Sequence, residues 1–427
     1  MKILFDSVWL PGYSADEVFF VTVENAYITA IDTACPKGTF DRVIDGKSKL
    51  LSPGLVNAHT HAAMTLFRGY GEDLPLERWL NERIFPAEDR LTAHAVQLGT
   101  KLSIAEMLAA GITSFSDMYF FCDATAQAVA EVGIKANLSR SVVSFDDAAD
   151  YATDPRVLEG IALFNEWNGA QDGKILVDLS LHAEYTNRGA AVSYMADAAA
   201  RLGTRVHIHL SETAKEHAEC IKRHGVTPTG FFLKYGLFEV PVIAAHCVHL
   251  SDEDRAILAA HGASAVHNPI SNLKLGSGVM PLDVTLASGM NVALGTDGAA
   301  SNNRLDLLRE MQMALLLSKG TTGAPDRVRA EDAFLLATAN GARAQGRVDS
   351  GKLAVGYRAD LALFDLCGAH NLPVVTPIGA LAYSAAASDV CLTMVDGRIL
   401  YENGEFKTLD VEKLKREFSE MRAHYFD

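Results

Sequence analysis

Residues 51–61 read LSPGLVNAHTH, a short apolar run at 51–57 that leads directly into His59-Thr60-His61. Side chains two apart on an extended chain point to the same face, so a strand ending here brings two imidazoles to one spot, where they can grip one ion. Seven further short apolar, β-branched runs follow, at 111–118, 135–142, 174–182, 205–212, 241–247, 263–268 and 291–297. Ala- and Leu-rich stretches with apolar residues at helical spacing lie between them. Gly111, Gly133, Gly203 and Gly262 stop the helices before four of the runs. Strand and helix in alternation predict a parallel sheet. Eight strands with helical crossovers predict an α/β fold closed into a (β/α)8, TIM-type barrel, with its active site at the C-terminal strand ends.

Outside this region the pattern changes. Residues 17–32, EVFFVTVENAYITAID, are two strand-like runs broken by Glu-Asn, with no long helix between strands. At the far end, 357–366 (YRADLALFDL) and 389–402 (DVCLTMVDGRILYE) are strand-like too, and 410–423 has the pattern of a closing amphipathic helix. The expected organisation is a barrel at 51–349 and a small β-domain assembled from 1–50 and 350–427.

Bulk properties narrow the function. A net charge of −15 argues against a polyanion binder, so nucleic acid is not an expected partner. With 49% hydrophobic and 21% charged residues the chain is an ordinary globular protein. No apolar run reaches the roughly 18 residues needed to span a bilayer. The start, MKILFDSVWLPGY, lacks a basic region followed by an apolar stretch and a cleavage site, and the expected location is cytoplasmic. Six cysteines (Cys35, Cys122, Cys220, Cys247, Cys367, Cys391) form no C-x-x-C pair, so any metal must be held by imidazole and carboxylate.

Such groups recur at strand ends. His209 closes the fifth run in VHIHLSE with Glu212 three residues later, His246 closes the sixth in IAAHCVH, and Asp297 closes the eighth in VALGTDG. His207 shares the side of His209 but lies nearer the barrel bottom, and is read as a buried structural histidine. Three imidazoles and one carboxylate suit Zn, with Fe second, better than the oxygen cages of Ca or Mg. A metal with an open position lowers the pKa of bound water to about 7 while a nearby carboxylate moves protons, which is the equipment of a hydrolase.

Residues 50–345 resemble the amidohydrolase superfamily in its mononuclear deaminase and chlorohydrolase branch. The motifs PGLVNAHTHAAMTLFRG, HIHLSE, AAHCVHL, HNPISNLKLGSG and ALGTDGAASNN stand in the family's order, and the flanking β-segments resemble its composite β-sandwich. The resemblance implies one divalent ion on His59, His61, His209 and Asp297, with Glu212 as proton shuttle and His246 orienting the hydrolytic water. On this reading Asp297 accepts the proton of the attacking water and returns it to the departing amine, and Glu212 carries the proton to N1 of the ring. Residues 73–88, DLPLERWLNERIFPAE, are most similar to deaminases of S-adenosylhomocysteine, 5'-methylthioadenosine and related adenosines. That similarity implies Trp79 beside the purine or ribose and Glu88 as acceptor for the ribose hydroxyls. Arg140 and His182, at the ends of the third and fourth runs, are implied substrate contacts. Arg156 either reaches a homocysteine carboxylate or pairs with Asp147 or Asp150. One departure is that Ala-Glu-Tyr follows His182, where the family usually has a proline turn before the aromatic residue.

The implied reaction is hydrolysis of a 5'-modified adenosine to the inosine analogue and ammonia. Its rivals are a deaminase or chlorohydrolase of another ring (guanine, cytosine, pterin or triazine) and a non-catalytic scaffold of the same fold. The expected partner is a small purine nucleoside, with a homo-oligomer left open by analogy to relatives.

Overall fold

The computed structural model describes residues 1–146 and 150–426. Eight parallel strands form the barrel: β1 (Leu55–Thr60), β2 (Ile112–Tyr119), β3 (Lys135–Val142), β4 (Ile175–Val177, continued by Leu179–Leu181), β5 (Val206–Leu210), β6 (Val242–His246), β7 (Ser264–His267) and β8 (Asn291–Leu294). They pair in sequence order. The seam between β8 and β1 is closed by Asp297 N–H donating to His59 O at 3.0 Å and Thr296 N–H to Asn57 Oδ1 at 3.0 Å. The intervening helices start where the sequence supplies caps. Thr92, Asp154, Thr213, Ser251 and Asp306 each accept a backbone N–H of the following turn, each worth about 1 kcal/mol.

Both termini feed a β-sandwich. One sheet has the order 27–32, 19–24, 2–8, 42–45, and the other the order 405–406, 398–402, 390–395, 361–365, 49–53. Ile3, Phe5, Val21 and Val23 of the first share one apolar core with Leu51, Leu361, Leu392 and Met394 of the second. The C-terminal helix, Val411–Phe426, packs on the barrel helix Ala93–Ala109.

Two expected strands are divided. The run 51–57 is shared: Lys49–Pro53 pairs antiparallel with Leu361–Asp365 in the sandwich, and the barrel strand begins at Leu55. The switch falls at Gly54, where a Cβ would stand 2.2 Å from the Thr113 side chain, so no larger residue passes. The run 174–182 breaks at Asp178, whose buried carboxylate accepts from Asn137 and Arg205 instead of facing the apolar layer.

Candidate active site

The C-terminal strand ends bring His59, His61, His209, His246 and Asp297 together. The Nε2 atoms of His59 and His61 lie 3.4 and 3.2 Å from Asp297 Oδ1, and His209 Nε2 lies 3.4 Å from His61 Nε2. One ligand atom from each of His59, His61 and Asp297 falls within 4.8 Å of the others, as does one from each of His59, His209 and His246.

Each ring is turned inward by a bond on its other nitrogen. His61 Nδ1 donates to Met118 O (2.6 Å), His209 Nδ1 to His182 O (2.8 Å) and His246 Nδ1 to Asn272 Oδ1 (2.8 Å), while His59 Nδ1 meets His207 Nε2 at 2.9 Å. Asp297 Oδ2 accepts from Ser271 and Ser301 at 2.6 and 2.9 Å, leaving Oδ1 for the centre. Such outer bonds fix tautomer and orientation in metal sites. His59 Nε2 is fully buried and has no hydrogen-bond partner, an orphan that a bound cation would satisfy.

The charges agree with this. Burial lowers the His59 imidazole to about 4 and takes His209 well below its ordinary value, keeping both neutral, as ligands must be. Burial alone would also lower His61, but the Asp297 carboxylate raises it to about 9. Burial would raise Asp297, yet the imidazoles of His59 and His61 beside it hold it well below the usual carboxylate range. The pocket therefore calls for positive charge beside Asp297. The donor set fits one divalent ion.

His246 and Asp297 themselves adopt φ of +73° and +60°. For residues with a Cβ this is uncommon, and held strain of this kind clusters at functional sites. The loop carrying Asp297 presses on β1 so closely that a Cβ on Gly295 would come within 2.6 Å of Asn268 Oδ1 and 2.9 Å of the His59 backbone.

Glu212 is buried, 3.9 Å from His246 Nε2, and accepts from Ser277 Oγ at 3.0 Å. Burial raises its carboxyl above the ordinary glutamate range, against the pull of His246. It is not the cap of the next helix, because Thr213 holds that position. Glu216 instead accepts the N–H groups of Ser211 and Glu212 at 3.0 and 2.7 Å and fixes the turn.

Beside the cluster opens a cavity of about 590 Å3 whose lining includes Trp79, Glu88, Arg140, Arg156 and His182, along with Glu212. Trp79 and Glu88 lie on one helical stretch, Leu76–Trp79, Leu80–Ile84 and Phe85–Glu88, of which the middle part is a π-helix. Nine residues are two and a half α-turns, which would set the two side chains on opposite faces. The wider π-turn winds more residues per turn and returns Glu88 to the cavity side. Burial raises its carboxyl to about 7, opposed by the nearby Tyr119 hydroxyl. Trp79 is 5% exposed, and its Nε1 is buried without a hydrogen-bond partner.

His182 is lowered to about 4 by burial and meets Thr186 Oγ1 through Nδ1 at 3.1 Å. Arg140 is already engaged, by an ion pair with Glu159 and by Phe120, whose ring centre lies 5.1 Å away. Arg156 donates to Val143 O at 3.1 Å. Asp150 accepts from Thr153 and Ala152 instead, and Asp147 lies outside the described residues.

Sequence reasoning set His207 aside as structural. It is buried, but its bond to His59 makes it the support of a candidate ligand, and the two-residue period of VHIHL was the available signal. Tyr119, Ser277 and Glu216 were also missed. Tyr119 and Ser277 stand at strand and loop ends with no spacing to mark them, whereas Glu216 sits three residues after the cap Thr213, a capping-box spacing that was the available signal.

The model of the amidohydrolase family matches residues 50–400. A protein of Dictyoglomus thermophilum named 5-methylthioadenosine/S-adenosylhomocysteine deaminase is 47% identical over 383 residues, 90% of this chain and 89% of that one. One of the same name from Acetivibrio thermocellus is 44% identical over 400 residues, 93% of this chain and 92% of that one. The crystal structure of an adenosine deaminase from Xanthomonas campestris with bound Zn superposes with a TM-score of 0.92 at 31% identity, covering 99% of this chain and 98% of that one. With matching motifs, barrel and inward-turned ligand cluster, the chain belongs to the amidohydrolase family.

Proposed function

We propose that this protein is a metal-dependent hydrolytic deaminase that converts 5'-modified adenosines (S-adenosylhomocysteine, 5'-methylthioadenosine, 5'-deoxyadenosine or adenosine) to inosine analogues and ammonia. The observation that carries this reading is one cavity lined both by the histidine–aspartate cluster with Glu212 and by Trp79 and Glu88. The names and identities of the relatives support the same substrate class.

His59, His61, His209 and Asp297 would hold one ion, Zn first and Fe second given three imidazoles and a carboxylate. When bound, such an ion acidifies water to a pKa of about 7 and so supplies a nucleophile at neutral pH. Attack at C6 of the purine drives electron density onto N1, which needs a proton as the tetrahedral centre forms. Glu212, raised by burial, carries that proton to N1. Asp297 accepts the proton of the attacking water and returns it to the departing amine, while His246 Nε2 holds the water in line. Glu88 accepts the two ribose hydroxyls in its charged form. Trp79 flanks the purine or ribose, and His182 and Arg140 contact the substrate from the strand ends. Arg156, with no ion-pair partner among the described residues, is the cation available to a carboxylate on the 5' arm.

No helix of the described residues is long and apolar enough to cross a membrane, and the proposed location is the cytoplasm. We also assign 51–349 to the barrel unit and 1–50 with 350–427 to the sandwich unit. Elemental analysis with steady-state comparison of the four substrates tests the reading. About one Zn or Fe per chain and ammonia release from at least one nucleoside are expected. Metal-free protein with full activity, or inertness toward all four, would overturn it.

A further inference from the structure

The C-terminal helix packs on the barrel helix Ala93–Ala109 and joins an apolar cluster shared with the stretch that lines the substrate cavity. Its residues Phe418 and Met421 pack against an apolar cluster that contains Trp79, Ile84, Ala87 and Leu91, together with Ala95 and Val96 of the helix it lies on. From the stretch 76–88 that cluster takes Trp79, Ile84 and Ala87, and Trp79 also lines the cavity with Glu88.

Polar bonds hold this stretch poorly. Arg78 pairs with Glu82 and Asn81 with Glu77 O, both internal to it. Among the described residues, the one side-chain hydrogen bond tying 76–87 to another element is Lys215 Nζ to Glu77, an exposed pair of little energetic value. The π-turn at Leu80–Ile84 adds a locus where the helix can rewind. Glu88 itself meets the Tyr119 hydroxyl, so it is the stretch leading up to it that depends on apolar packing, in the cluster that Phe418 and Met421 join from the other end of the chain.

We propose that Phe418 and Met421 are positioning residues for nucleoside recognition: they hold the Trp79–Glu88 stretch in register with the catalytic cluster and act through Glu88 on substrate binding. The proposal rests on the reading of Trp79 and Glu88 as substrate contacts, and the experiment separates the two. Trp9, Trp79 and Trp167 are the only tryptophans. In a Trp9→Phe, Trp167→Phe background, Trp79 reports its own surroundings without any assay of activity.

There, Phe418→Ala with Met421→Ala should make Trp79 emission more open to acrylamide quenching. In the enzyme itself the same pair should raise KM for 5'-methylthioadenosine roughly tenfold, short of what full loss of the Glu88 bonds would give, with kcat within about twofold and metal content unchanged. Phe418→Leu should restore most of the loss. In a Glu88→Gln background the pair should change KM by less than about twofold, because the group it positions is gone. Should the double variant unfold, Met421→Ala alone should show the same split at smaller size. Unchanged quenching with unchanged KM overturns the proposal, as does activity falling only with the folded fraction in a thermal melt. Greater quenching with unchanged KM keeps the buttress and overturns the ribose reading.

Discussion

At the N-terminal end of the barrel, Lys135 is buried between Asp360 and Asp396 at 2.6 and 2.7 Å, with Arg358 and Ser350 completing the group. At the C-terminal end, the imidazoles surround Asp297 and leave His59 Nε2 and Trp79 Nε1 without hydrogen-bond partners. Both ends bury charge on strands of one sheet. At the first, charge meets opposite charge within the protein and joins the barrel to the sandwich. At the second, valences are left over, and what completes them must come from outside. Backbone strain is shared by both ends, since His246 and Asp297 sit in the left-handed region and so does Asp396. Stability and chemistry are thus assigned to opposite ends, as in other barrels of this kind.

The sharpest way to test that division is to remove the proton carrier. Glu212→Gln keeps size and metal but cannot shuttle protons, so kcat should fall about 10²–10⁴-fold at full metal content with an unchanged melting curve. A metal-replete variant within threefold of the parent would break the assignment. The reciprocal change at the other end is Lys135→Met, which leaves the buried Asp360 carboxylate without a cation while Asp396 keeps Arg358 and Lys174. Unfolding free energy from a urea titration should drop by about 3–5 kcal/mol, with kcat of the folded enzyme near the parent value.

The next effects are smaller and concern the leftover valences. Glu88→Gln should cost about 1.5–3 kcal/mol in kcat/KM for nucleosides, mostly through KM, because charge-assisted bonds to the hydroxyls are lost. Free adenine, lacking ribose, should not distinguish the variant from the parent. His207→Phe removes the support of His59 and should weaken metal affinity about 10–100-fold in chelator competition, with near-normal turnover when metal is saturating.

The smallest effect is on pH. With Glu88 raised to about 7 in the free enzyme, its charged and stronger-accepting form grows as pH rises. KM for nucleosides should therefore fall roughly tenfold from pH 6 to pH 8, and Glu88→Gln should abolish that slope. A slope that persists in the variant would assign the titration to another group.

The eight barrel strands were legible because parallel strands, apolar on both faces, read as compact runs between amphipathic helices. The gathering of His59, His61, His209, His246 and Asp297 was legible because each sits at a strand end. The division of 51–57 was not, since the run is equally apolar on both sides of Gly54 and only the tertiary partner changes. Nor was the facing of Trp79 and Glu88, whose spacing misleads unless the π-turn is known. Arg140, expected as a substrate contact, lines the cavity, and its pairing with Glu159 was not legible because it depends on a helix packing back against the strand.

The strand change at Gly54 also carries a cost in time. Residues 49–53 pair with 361–365. At about 5–20 residues per second of synthesis, that partner emerges some 15–60 s after the strand that needs it. For that interval the edge at Leu50 and Leu51, and the apolar face of the sheet built from residues 2–45, stay uncovered. A nascent chain of this design is most exposed to aggregation before its last hundred residues arrive, and chaperone capacity should govern its yield more than its final stability does.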